Sequence, residues 1–242
     1  MSTKYPKFEN SPRHITFIPD GNRRWAKARG LAPWMGHYEG FKAVEKVFKA
    51  CFDMNISCVS LWAASRDNIL KRDPEEIKYL LNLFAEKFSE LADEKFIHKQ
   101  KIKITFFGDW QELCPEKVIK AIGKCHKKTA KYHNKNLNIF VGYSGTKEMV
   151  DACASIAAAK AKNKDLLING ELLKANLYTK DLPPVDYVIR TGGEPHNSDG
   201  FMMWDTANAQ IYNSTKHWPD FKEKELIETL EEYNKRERRL GK

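Results

Sequence analysis

The feature that most constrains the fold is a set of five short runs of β-branched and aromatic residues. The runs lie at 14–19, 58–64, 102–108, 137–143 and 186–191. Each is continuously apolar rather than alternating, which is typical of strands buried on both faces of a parallel sheet. Segments with helical periodicity separate the runs, and this alternation predicts an α/β fold with a mostly parallel central sheet flanked by helices.

Helical periodicity appears in five segments between and after these strands. The segments are 38–53, 74–98, 115–133, 145–162 and 223–239. In the second of them, Pro74 and the glutamates that follow it are typical of a helix start. Its apolar face has two interpretations, because such a stripe usually packs in the core but can also enclose an apolar tunnel. That face carries Ile77, Leu80, Leu81, Phe84, Phe88 and Leu91.

Composition favours a soluble globular protein. The 242 residues are 42% hydrophobic and 30% charged, with a mean hydropathy of −0.60. No apolar run approaches the roughly 18 residues that a spanning helix needs, and the polar N-terminal segment lacks the apolar stretch of a signal peptide. We therefore predict a cytoplasmic protein with a polar tail at 1–12 and a single catalytic domain at 13–242.

Cysteine spacing and net charge narrow the possible functions. The five cysteines form no CxxC pair and no His/Cys cluster with zinc-ligand spacing, which predicts reduced, buried thiols and no thiolate metal site. The formal charge of +9 attracts polyanions such as nucleic acid, an anionic membrane surface or a phosphorylated small molecule. A solvated basic surface without a partner is the alternative, and composition alone does not decide.

The segment 14–30, HITFIPDGNRRWAKARG, carries the chemistry. A predicted strand runs directly into Asp20, and ligands bind at the carboxyl ends of strands in α/β sheets. Gly21 lets the backbone approach an anion closely, while Arg23 and Arg24 offer forked donors to phosphate oxygens. A carboxylate beside an anion site indicates a bridging cation, and Mg²⁺ commonly binds one or two carboxylates together with substrate phosphates. Taken alone, the segment also fits an ordinary turn with exposed arginines.

Five motifs in a fixed order give the sequence a family resemblance. They are DGNRRWAKARG (20–30), GHYEG (36–40), SRDN (65–68), VIRTGGE (188–194) and WPDF (218–221), and RERRLG follows at 236–241. In order and spacing they resemble the cis-prenyltransferases, of which undecaprenyl diphosphate synthase is the best-known type. The resemblance covers nearly the whole chain, and five ordered motifs are far more specific than any single match.

The resemblance implies a homodimeric α/β enzyme with a hydrophobic cleft for the growing isoprenoid. It also implies Mg²⁺-dependent transfer of a prenyl group from an allylic prenyl diphosphate to isopentenyl diphosphate, which creates a Z double bond. The hard step is loss of diphosphate from the allylic carbon, where Mg²⁺ and cationic donors stabilise the charge on the leaving group. The lipid product implies peripheral contact with a membrane, whereas no motif supports a nucleic-acid partner.

Carried over residue by residue, the resemblance assigns roles to particular side chains. Catalytic roles fall to Asp20, which would hold the metal, and to Asn68, which matches the asparagine of the proton-removal step. The allylic diphosphate site would comprise Gly21, Asn22, Arg23, Arg24, Trp25, His37, Ser65, Lys71 and Arg72. The acceptor diphosphate site would comprise Arg190, His196, Asn197 and Ser198, and Gln210 stands at a second metal-ligand position. Structural alternatives stay open, because His37 also fits a helix cap and Asn68 also fits a turn.

Some positions in the allylic site depart from the family pattern. Pro33 replaces an arginine, so one phosphate contact is missing. Arg23 replaces a glycine and would partly compensate for that loss. An extra residue after the SRDN motif moves the next basic position to Lys71 or Arg72.

The acceptor site departs further. An insertion after Glu194 puts His196 and Asn197 where the family has a second arginine, and Gln210 replaces a glutamate, although an amide oxygen binds Mg²⁺ more weakly than a carboxylate. These changes leave the ionisation machinery better preserved than the acceptor site. They favour relaxed acceptor choice, with a second allylic diphosphate or another nucleophile as the alternative acceptor.

Two further alternatives and one product-length prediction remain. A non-catalytic subunit of a prenyltransferase complex typically lacks the aspartate of the DGN motif, whereas Asp20 is present. The interpretation as a nucleic-acid-binding protein rests only on net charge and the basic KRERR segment.

Phe140 stands where long-chain relatives tend to carry a smaller residue. If its ring points into the cleft, it predicts short or medium products.

Overall fold

A six-stranded sheet forms the centre of the computed structural model, which describes residues 4–236. Its strands are β1 (His14–Ile18), β2 (Cys58–Ser65), β3 (Ile102–Phe107), β4 (Lys135–Tyr143), β5 (Tyr187–Arg190) and β6 (Gln210–Asn213). They lie in the order β3-β4-β2-β1-β5-β6, and every neighbouring pair is parallel. The predicted α/β class with a parallel central sheet is confirmed.

Ten α-helices and two short 3-10 turns accompany the sheet within residues 4–236. The helices are α1 (Asn22–Lys27), α2 (Met35–Asp53), α3 (Arg66–Lys71), α4 (Pro74–Leu91), α5 (Lys95–Gln100), α6 (Trp110–Leu113), α7 (Glu116–Thr129), α8 (Gly145–Lys162), α9 (Gly170–Asn176) and α10 (Glu223–Lys235). The 3-10 turns are Ser198–Gly200 and Trp218–Asp220. None of these described helices is long and apolar enough to cross a membrane.

The predicted helix at 74–98 is two helices. Asp73 caps the start of α4, because its side chain accepts hydrogen bonds from two backbone N–H groups at 2.9 and 3.1 Å. The helix ends before Asp93, whose carboxylate pairs with Lys124 at 2.6 Å and also with Lys128 on α7. These pairs hold the turn between α4 and α5 against α7, so the chain changes direction there.

The C-terminal helix also differs from its prediction. It was expected over 223–239, but α10 ends at Lys235, and 237–239 lie outside the described residues. Glutamates outnumber lysines in the described helix, so this part of the segment is acidic rather than basic.

The two edge strands were the hardest to predict. β6, with the sequence QIYN, was missed because half of it is polar and its side chains alternate between half-buried and exposed. β3 was predicted as continuously buried, but its side chains alternate between buried and half-buried. Both strands pair on one side only, so less of each is covered than in the four central strands.

The sheet separates two apolar clusters, and alternation along β4 assigns its side chains to them. Leu137 and Ile139 belong to the larger cluster, together with residues of α2, α4, α7 and α10. Phe140 belongs to the smaller cluster on the other side, where its ring lies 4.8 Å from that of Phe201 and 4.8 Å from that of Tyr143. Successive side chains of a strand point to opposite faces.

Four of the five cysteines are buried and free, as predicted: Cys51, Cys58, Cys114 and Cys125. Burial raises the pKa of Cys58 to about 12, so its thiol is inert at neutral pH. Cys153 is exposed on α8, which the prediction of buried thiols had wrong, because it lies on the solvent face of an alanine-rich helix.

Part of the predicted polar tail contacts the domain. Within the described residues, Tyr5 is buried and Phe8 packs against the same apolar cluster. Lys4 pairs with Glu223 at 3.1 Å. These contacts stabilise the segment before β1, while the domain limits at 12 and 13 stay a prediction.

His14, buried at the start of β1, predicts a pH dependence of stability. Its Nδ1 lies 2.8 Å from the carbonyl oxygen of Pro183, and its Nε2 lies 2.8 Å from Oγ of Ser60. Burial lowers the pKa of His14 from 6.5, so the unfolded chain takes up this proton first as pH falls. The contribution to the free energy of unfolding is therefore complete above the unfolded pKa. It decreases by up to about 1.4 kcal/mol per pH unit as pH falls from about 6.5 towards the folded pKa.

Urea denaturation of the wild type and of His14→Gln at several pH values would measure this contribution. The glutamine keeps a donor and an acceptor but does not titrate. We expect a shallower loss of unfolding free energy in the variant below about pH 6.5. Parallel curves for the two proteins would contradict the role of His14.

Candidate active site

Asp20 lies two residues beyond β1, at the edge where the parallel strands have their carboxyl ends. The neighbouring strand, β5, ends in Arg190, whose Nη2 lies 2.7 Å from Oδ2 of Asp20. Thr191 fixes the Asp20 backbone, because its Oγ1 accepts from the Asp20 N–H at 3.0 Å and donates to the Asp20 carbonyl at 2.8 Å. Two adjacent strand ends therefore bring the aspartate and the arginine together.

Gly21 makes the turn from β1 into α1 possible. Its φ is +95°, in the left-handed region that favours glycine. A Cβ at this position would also lie 2.4 Å from Nδ1 of His217. The Gly21 N–H donates to Oδ1 of Asp20 at 2.6 Å. The turn thus orients the carboxylate and starts α1 beside it.

The glycines of the GHYEG motif let α2 approach α1. A Cβ at Gly36 would lie 2.0 Å from the carbonyl oxygen of Asn22, and one at Gly40 would lie 2.5 Å from the Asn22 Oδ1. The amide of Asn22 is held between these helices, where Nδ2 donates to the carbonyl of Pro19 at 3.1 Å. Its side chain shapes the turn, and Asn22 also lines the concavity beside Asp20.

A concavity opens beside Asp20, and we call it the cradle. Basic side chains outnumber acidic ones in its lining: Arg23, Arg24, Lys27, His37 and Arg72 stand against Asp20, Glu76 and Glu194. Nη2 of Arg24 lies 3.4 Å from Oδ1 of Asp20, and its Nη1 lies 3.4 Å from Glu194. The cradle therefore offers several cationic donors around one partly exposed carboxylate, which suits a polyanionic ligand.

Glu76 contacts three of these basic side chains, and sequence reasoning missed it. Its buried carboxylate lies 3.1 Å from Nε2 of His37, 3.2 Å from Arg72 and 3.8 Å from Arg23. The hydrogen bond from His37, aided by the charges of Arg72 and Arg23, holds the pKa of Glu76 below its usual range. The four-residue spacing from Arg72 to Glu76 was a sequence signal for one of these pairs, but the other two partners come from distant segments.

The acceptor residues form a smaller group around Arg190, which is 4% exposed. Its Nη1 donates to Oγ of Ser198 at 2.6 Å and to the carbonyl of His196 at 3.0 Å. The His196 side chain is exposed, and the amide of Asn197 donates to the carbonyl of Phe201 at 3.2 Å. Arg190 and Ser198 are thus brought together, while the side chain of Asn197 is engaged by the backbone.

Three residues predicted for the allylic site lie outside the cradle lining: Trp25, Ser65 and Lys71. Nε1 of Trp25 donates to Asp220 at 2.8 Å on the other side of α1. Lys71 pairs with Asp67 at 2.7 Å on the exposed face of α3. Helix geometry turns the side chains of Trp25 and Lys71 away from the cradle, and their assignment to the allylic site stays a prediction. Of the two basic residues after the SRDN motif, Arg72 lines the cradle and Lys71 does not.

Ser65 and Asn68 of the SRDN motif are bonded to each other. The Asn68 N–H donates to Oγ of Ser65 at 2.8 Å, and the Ser65 N–H donates to Oδ1 of Asn68 at 3.4 Å. This reciprocal pair caps α3, so the structural alternative for Asn68 is present. Because Ser65 ends β2, which neighbours β1, the pair still lies at the ligand-binding edge of the sheet.

Gln210 lies at the opposite end of the sheet from Asp20. In the register of β6 it pairs with Tyr187 at the start of β5, whereas Arg190 pairs with Ile18 near Asp20. Three residues along a strand span about 10 Å, so the two side chains cannot share one Mg²⁺ within one chain. The assignment of Gln210 as a metal ligand stays a prediction. Oε1 of Gln210 lies 3.4 Å from Nη1 of Arg236.

An apolar cavity of about 400 Å³ lies between α2, α4 and the sheet. Phe41, Phe48, Phe88, Leu137 and Ile139 are among its lining residues. The apolar stripe of α4 therefore serves both predicted purposes, because Phe88 is buried in the core and also lines this cavity. Phe140 does not line it, so the condition for an obstruction by that ring, that it points into the cleft, is not met at this cavity.

The cradle and the cavity are one helical turn apart along α2. His37 lines the cradle and Phe41 lines the cavity. No described residue lines both. Between them, the rings of Phe41 and Phe84 meet edge to face with centroids 5.9 Å apart. The anion-binding cradle thus leads towards an apolar cavity, with an aromatic pair at the boundary.

The family model of the undecaprenyl diphosphate synthases matches residues 18–241. The chain belongs to this family. Two relatives illustrate the similarity. A tritrans,polycis-undecaprenyl-diphosphate synthase (geranylgeranyl-diphosphate specific) of Thermococcus kodakarensis is 37% identical over 238 residues, covering 98% of this chain and 89% of that protein. An isoprenyl transferase of Thermus thermophilus is 36% identical over 237 residues, covering 96% and 89%.

A solved structure shares the architecture. The crystal structure of lavandulyl diphosphate synthase from Lavandula x intermedia, in complex with dimethylallyl diphosphate, superposes with a TM-score of 0.88 at 26% identity. The match covers 96% of this chain and 99% of that one. The resemblance drawn from the motifs is confirmed, and the protein is a prenyltransferase of isoprenoid diphosphate synthesis.

Proposed function

We propose that the protein transfers the prenyl group of an allylic prenyl diphosphate to isopentenyl diphosphate, forming a Z-prenyl diphosphate. The observation that carries this proposal is the cationic cradle one helical turn from the apolar cavity, with His37 on one side of the boundary and Phe41 on the other. A diphosphate bound in the cradle directs its hydrocarbon tail towards the cavity. Membership of the family supports the reaction class.

The cradle residues would bind the allylic diphosphate through charge-assisted hydrogen bonds. Arg23 and Pro33 both line the cradle, which supports the idea that Arg23 replaces the arginine missing at position 33. Glu76 holds Arg72 and His37 in place before substrate binds, so less side-chain freedom is lost on binding. The same donors stabilise charge that develops on the leaving diphosphate.

Asp20 fits the way in which Mg²⁺ is bound beside phosphates. No group of three or more His, Cys, Asp or Glu side chains that could hold a metal occurs within residues 4–236. Mg²⁺ needs no such cage, because it typically takes one or two carboxylates together with substrate phosphates, and the Asp20 carboxylate is 36% exposed beside the cradle. When bound, Mg²⁺ supplies positive charge to the leaving diphosphate.

The pairing of Asp20 with two arginines has a consequence for binding. Its carboxylate is shared between Arg190 at 2.7 Å and Arg24 at 3.4 Å. Diphosphates in the acceptor and allylic sites would compete for these two arginines. Substrate binding would then release the Asp20 carboxylate from its internal partners.

A second candidate function rests on the acceptor group. Arg190 is the only arginine in the described segment 186–201, and Asn197, at the position of the missing arginine, is bonded to the backbone. Isopentenyl diphosphate would therefore be held weakly. A second allylic diphosphate or another nucleophile could then accept the prenyl group, which would give non-head-to-tail products.

The role of Asn68 in proton removal stays part of the proposal. Its amide oxygen and backbone N–H are engaged with Ser65, so contact with a substrate requires this cap to open. The homodimer is also proposed, and the exposed apolar side chains of Leu167, Ile168 and Trp204 support it. Sedimentation equilibrium would test the dimer, and cell fractionation would test the cytoplasmic location.

Incubation of the purified protein with labelled allylic diphosphates and Mg²⁺, with and without isopentenyl diphosphate, tests the function. We expect chain-elongated Z products when isopentenyl diphosphate is present. Products formed from allylic diphosphate alone would support the second candidate. Absence of any transfer, with every starter tried, would contradict both.

Product length should depend on Phe41. Its ring meets Phe84 at the boundary between the cradle and the cavity, and packed interiors leave no spare room for extra isoprene units. We expect Phe41→Ala to join the two spaces and to lengthen the products by at least one isoprene unit. Chromatography of labelled products would measure the change.

Phe140→Ala is the matched control for this experiment. It removes an equally large ring from the other face of the sheet, where Phe140 contacts Phe201 and Tyr143. We expect lower stability, by about 3–5 kcal/mol, but no longer products. Longer products from Phe140→Ala, with none from Phe41→Ala, would show that the boundary has been misplaced.

A further inference from the structure

The positive charge of the chain is concentrated outside the cradle. Residues 115–135 contain seven lysines and a single acidic residue, Glu116, which gives this stretch a formal charge of +6 out of +9 for the whole chain. The proposed reaction uses none of these lysines. Such an asymmetric charge is the electrostatic signature of a polyanionic partner.

The lysines gather on the exposed side of α7 and the turn after it. An open groove there is lined by Lys120, Lys124, Lys127, Lys128 and Lys131, with Gly123 and Ala130 between them. We call this surface the lysine face. It includes no large exposed hydrophobic side chain among the described residues, so any attraction it exerts is electrostatic.

Few acidic groups neutralise the lysine face. Asp93 pairs with Lys124 at 2.6 Å and with Lys128, and Glu116 lies 3.6 Å from Lys120. Lys127 and Lys131 pair with no carboxylate within residues 4–236. Nζ of Lys131 lies 5.7 Å from the centroid of the Tyr132 ring. Exposed ammonium groups without a carboxylate partner are available to an external anion.

The lysine face borders the end of the apolar cavity that lies away from the cradle. Nζ of Lys124 donates to the carbonyl of Ser89 at 3.1 Å near the end of α4, and the Tyr132 hydroxyl lies 3.0 Å from Nδ1 of His98 on α5. The same α4–α5 corner supplies Leu91 and Phe96 to the cavity lining. A prenyl chain that grows away from the cradle would therefore point towards this corner.

We propose that the lysine face docks the protein on an anionic lipid bilayer, beside the end of the cavity where the hydrocarbon chain grows. The proposal rests on the proposed function, because a lipid product gives the bilayer its relevance. Exposed lysines attract the negative surface potential of such a membrane without inserting into it. Docking is therefore reversible and weakens as salt screens the charges.

Sedimentation with lipid vesicles tests the proposal. Full-length protein is mixed with vesicles of phosphatidylcholine alone or with roughly 30% phosphatidylglycerol, at low and high salt. Each lysine near an anionic surface changes the partition of a protein between vesicles and solution by about five-fold. The triple variant Lys120→Glu, Lys127→Glu, Lys131→Glu should therefore bind anionic vesicles at least about 100-fold more weakly than the wild type. The control, Lys162→Glu, Lys164→Glu, Lys180→Glu, changes net charge equally on an exposed surface elsewhere and should bind nearly as well as the wild type.

The outcomes separate the possibilities. Equal loss in both triple variants would show that net charge alone matters and would overturn the proposal. Failure of the wild type to bind anionic vesicles would also overturn the proposal. This includes the case in which the lysine face binds duplex DNA instead of vesicles. If the glutamate variant does not fold, glutamine at the same three positions should still lower partition about 100-fold.

Prenyl transfer from a short, water-soluble allylic diphosphate, assayed without vesicles, reports on the proposed function separately. We expect both triple variants to keep wild-type rates in that assay. Vesicle binding without any transfer by the wild type would overturn the function and leave the docking surface standing. Prenyl transfer without vesicle binding would support the proposed function and overturn the docking surface.

Discussion

Asp20→Ala is expected to lower the rate of prenyl transfer by at least about 100-fold, the cost of losing one preorganised stabiliser of a developing charge. Asp20 supplies the carboxylate beside the cradle, held between Arg190 and Arg24. Asp20→Asn should lose nearly as much, because the amide keeps the shape but not the negative charge. Single-turnover rates with labelled allylic diphosphate at saturating Mg²⁺ would measure both effects.

Asp109→Asn provides a matched control for Asp20. Asp109 also lies two residues beyond a strand, β3, and also pairs with an arginine, since its Oδ2 lies 2.6 Å from Nη1 of Arg66. It does not line the cradle. We expect this variant to lose some stability but to keep near-normal turnover. Wild-type rates in a correctly folded Asp20→Ala variant would remove Asp20 from the mechanism.

Much of the fold followed from the sequence because the four central strands and β3 are apolar runs that stand out from their surroundings. β6 could not be predicted, because the residue pattern of a polar edge strand resembles that of a loop. The break between α4 and α5 was also hidden, because it is held by Asp93 and two lysines of α7. Contacts between distant segments leave little trace in local periodicity.

The candidate site was predictable where a motif lies at the carboxyl end of a predicted strand. Asp20 follows β1 and Arg190 ends the adjacent parallel strand β5, so their meeting could be expected from the class of fold. Glu76 was missed because its three partners come from α1, α2 and the segment before α4. The face of Phe140 could not be predicted, because alternation along a strand does not reveal which face holds the cavity.

Arg190 is the residue on which the acceptor site depends. It is 4% exposed and joins Asp20, Ser198 and the carbonyl of His196. A buried guanidinium with three partners is positioned before any ligand arrives. The neighbouring Asn197, bonded to the backbone, offers no charge that could replace it.

Arg190→Gln should therefore raise the KM for isopentenyl diphosphate by about 10- to 150-fold, the equivalent of about 1.5–3 kcal/mol for one charge-assisted hydrogen bond. The KM for the allylic diphosphate should change less, because Arg23, Arg24 and Arg72 remain in the cradle. Arg66→Gln, which breaks the Arg66–Asp109 pair instead, controls for the loss of an arginine–carboxylate pair. Steady-state kinetics with each substrate varied in turn would separate the two constants. If the allylic KM rises and that for isopentenyl diphosphate does not, Arg190 serves the donor. The weakened acceptor site would then have to be explained by other residues.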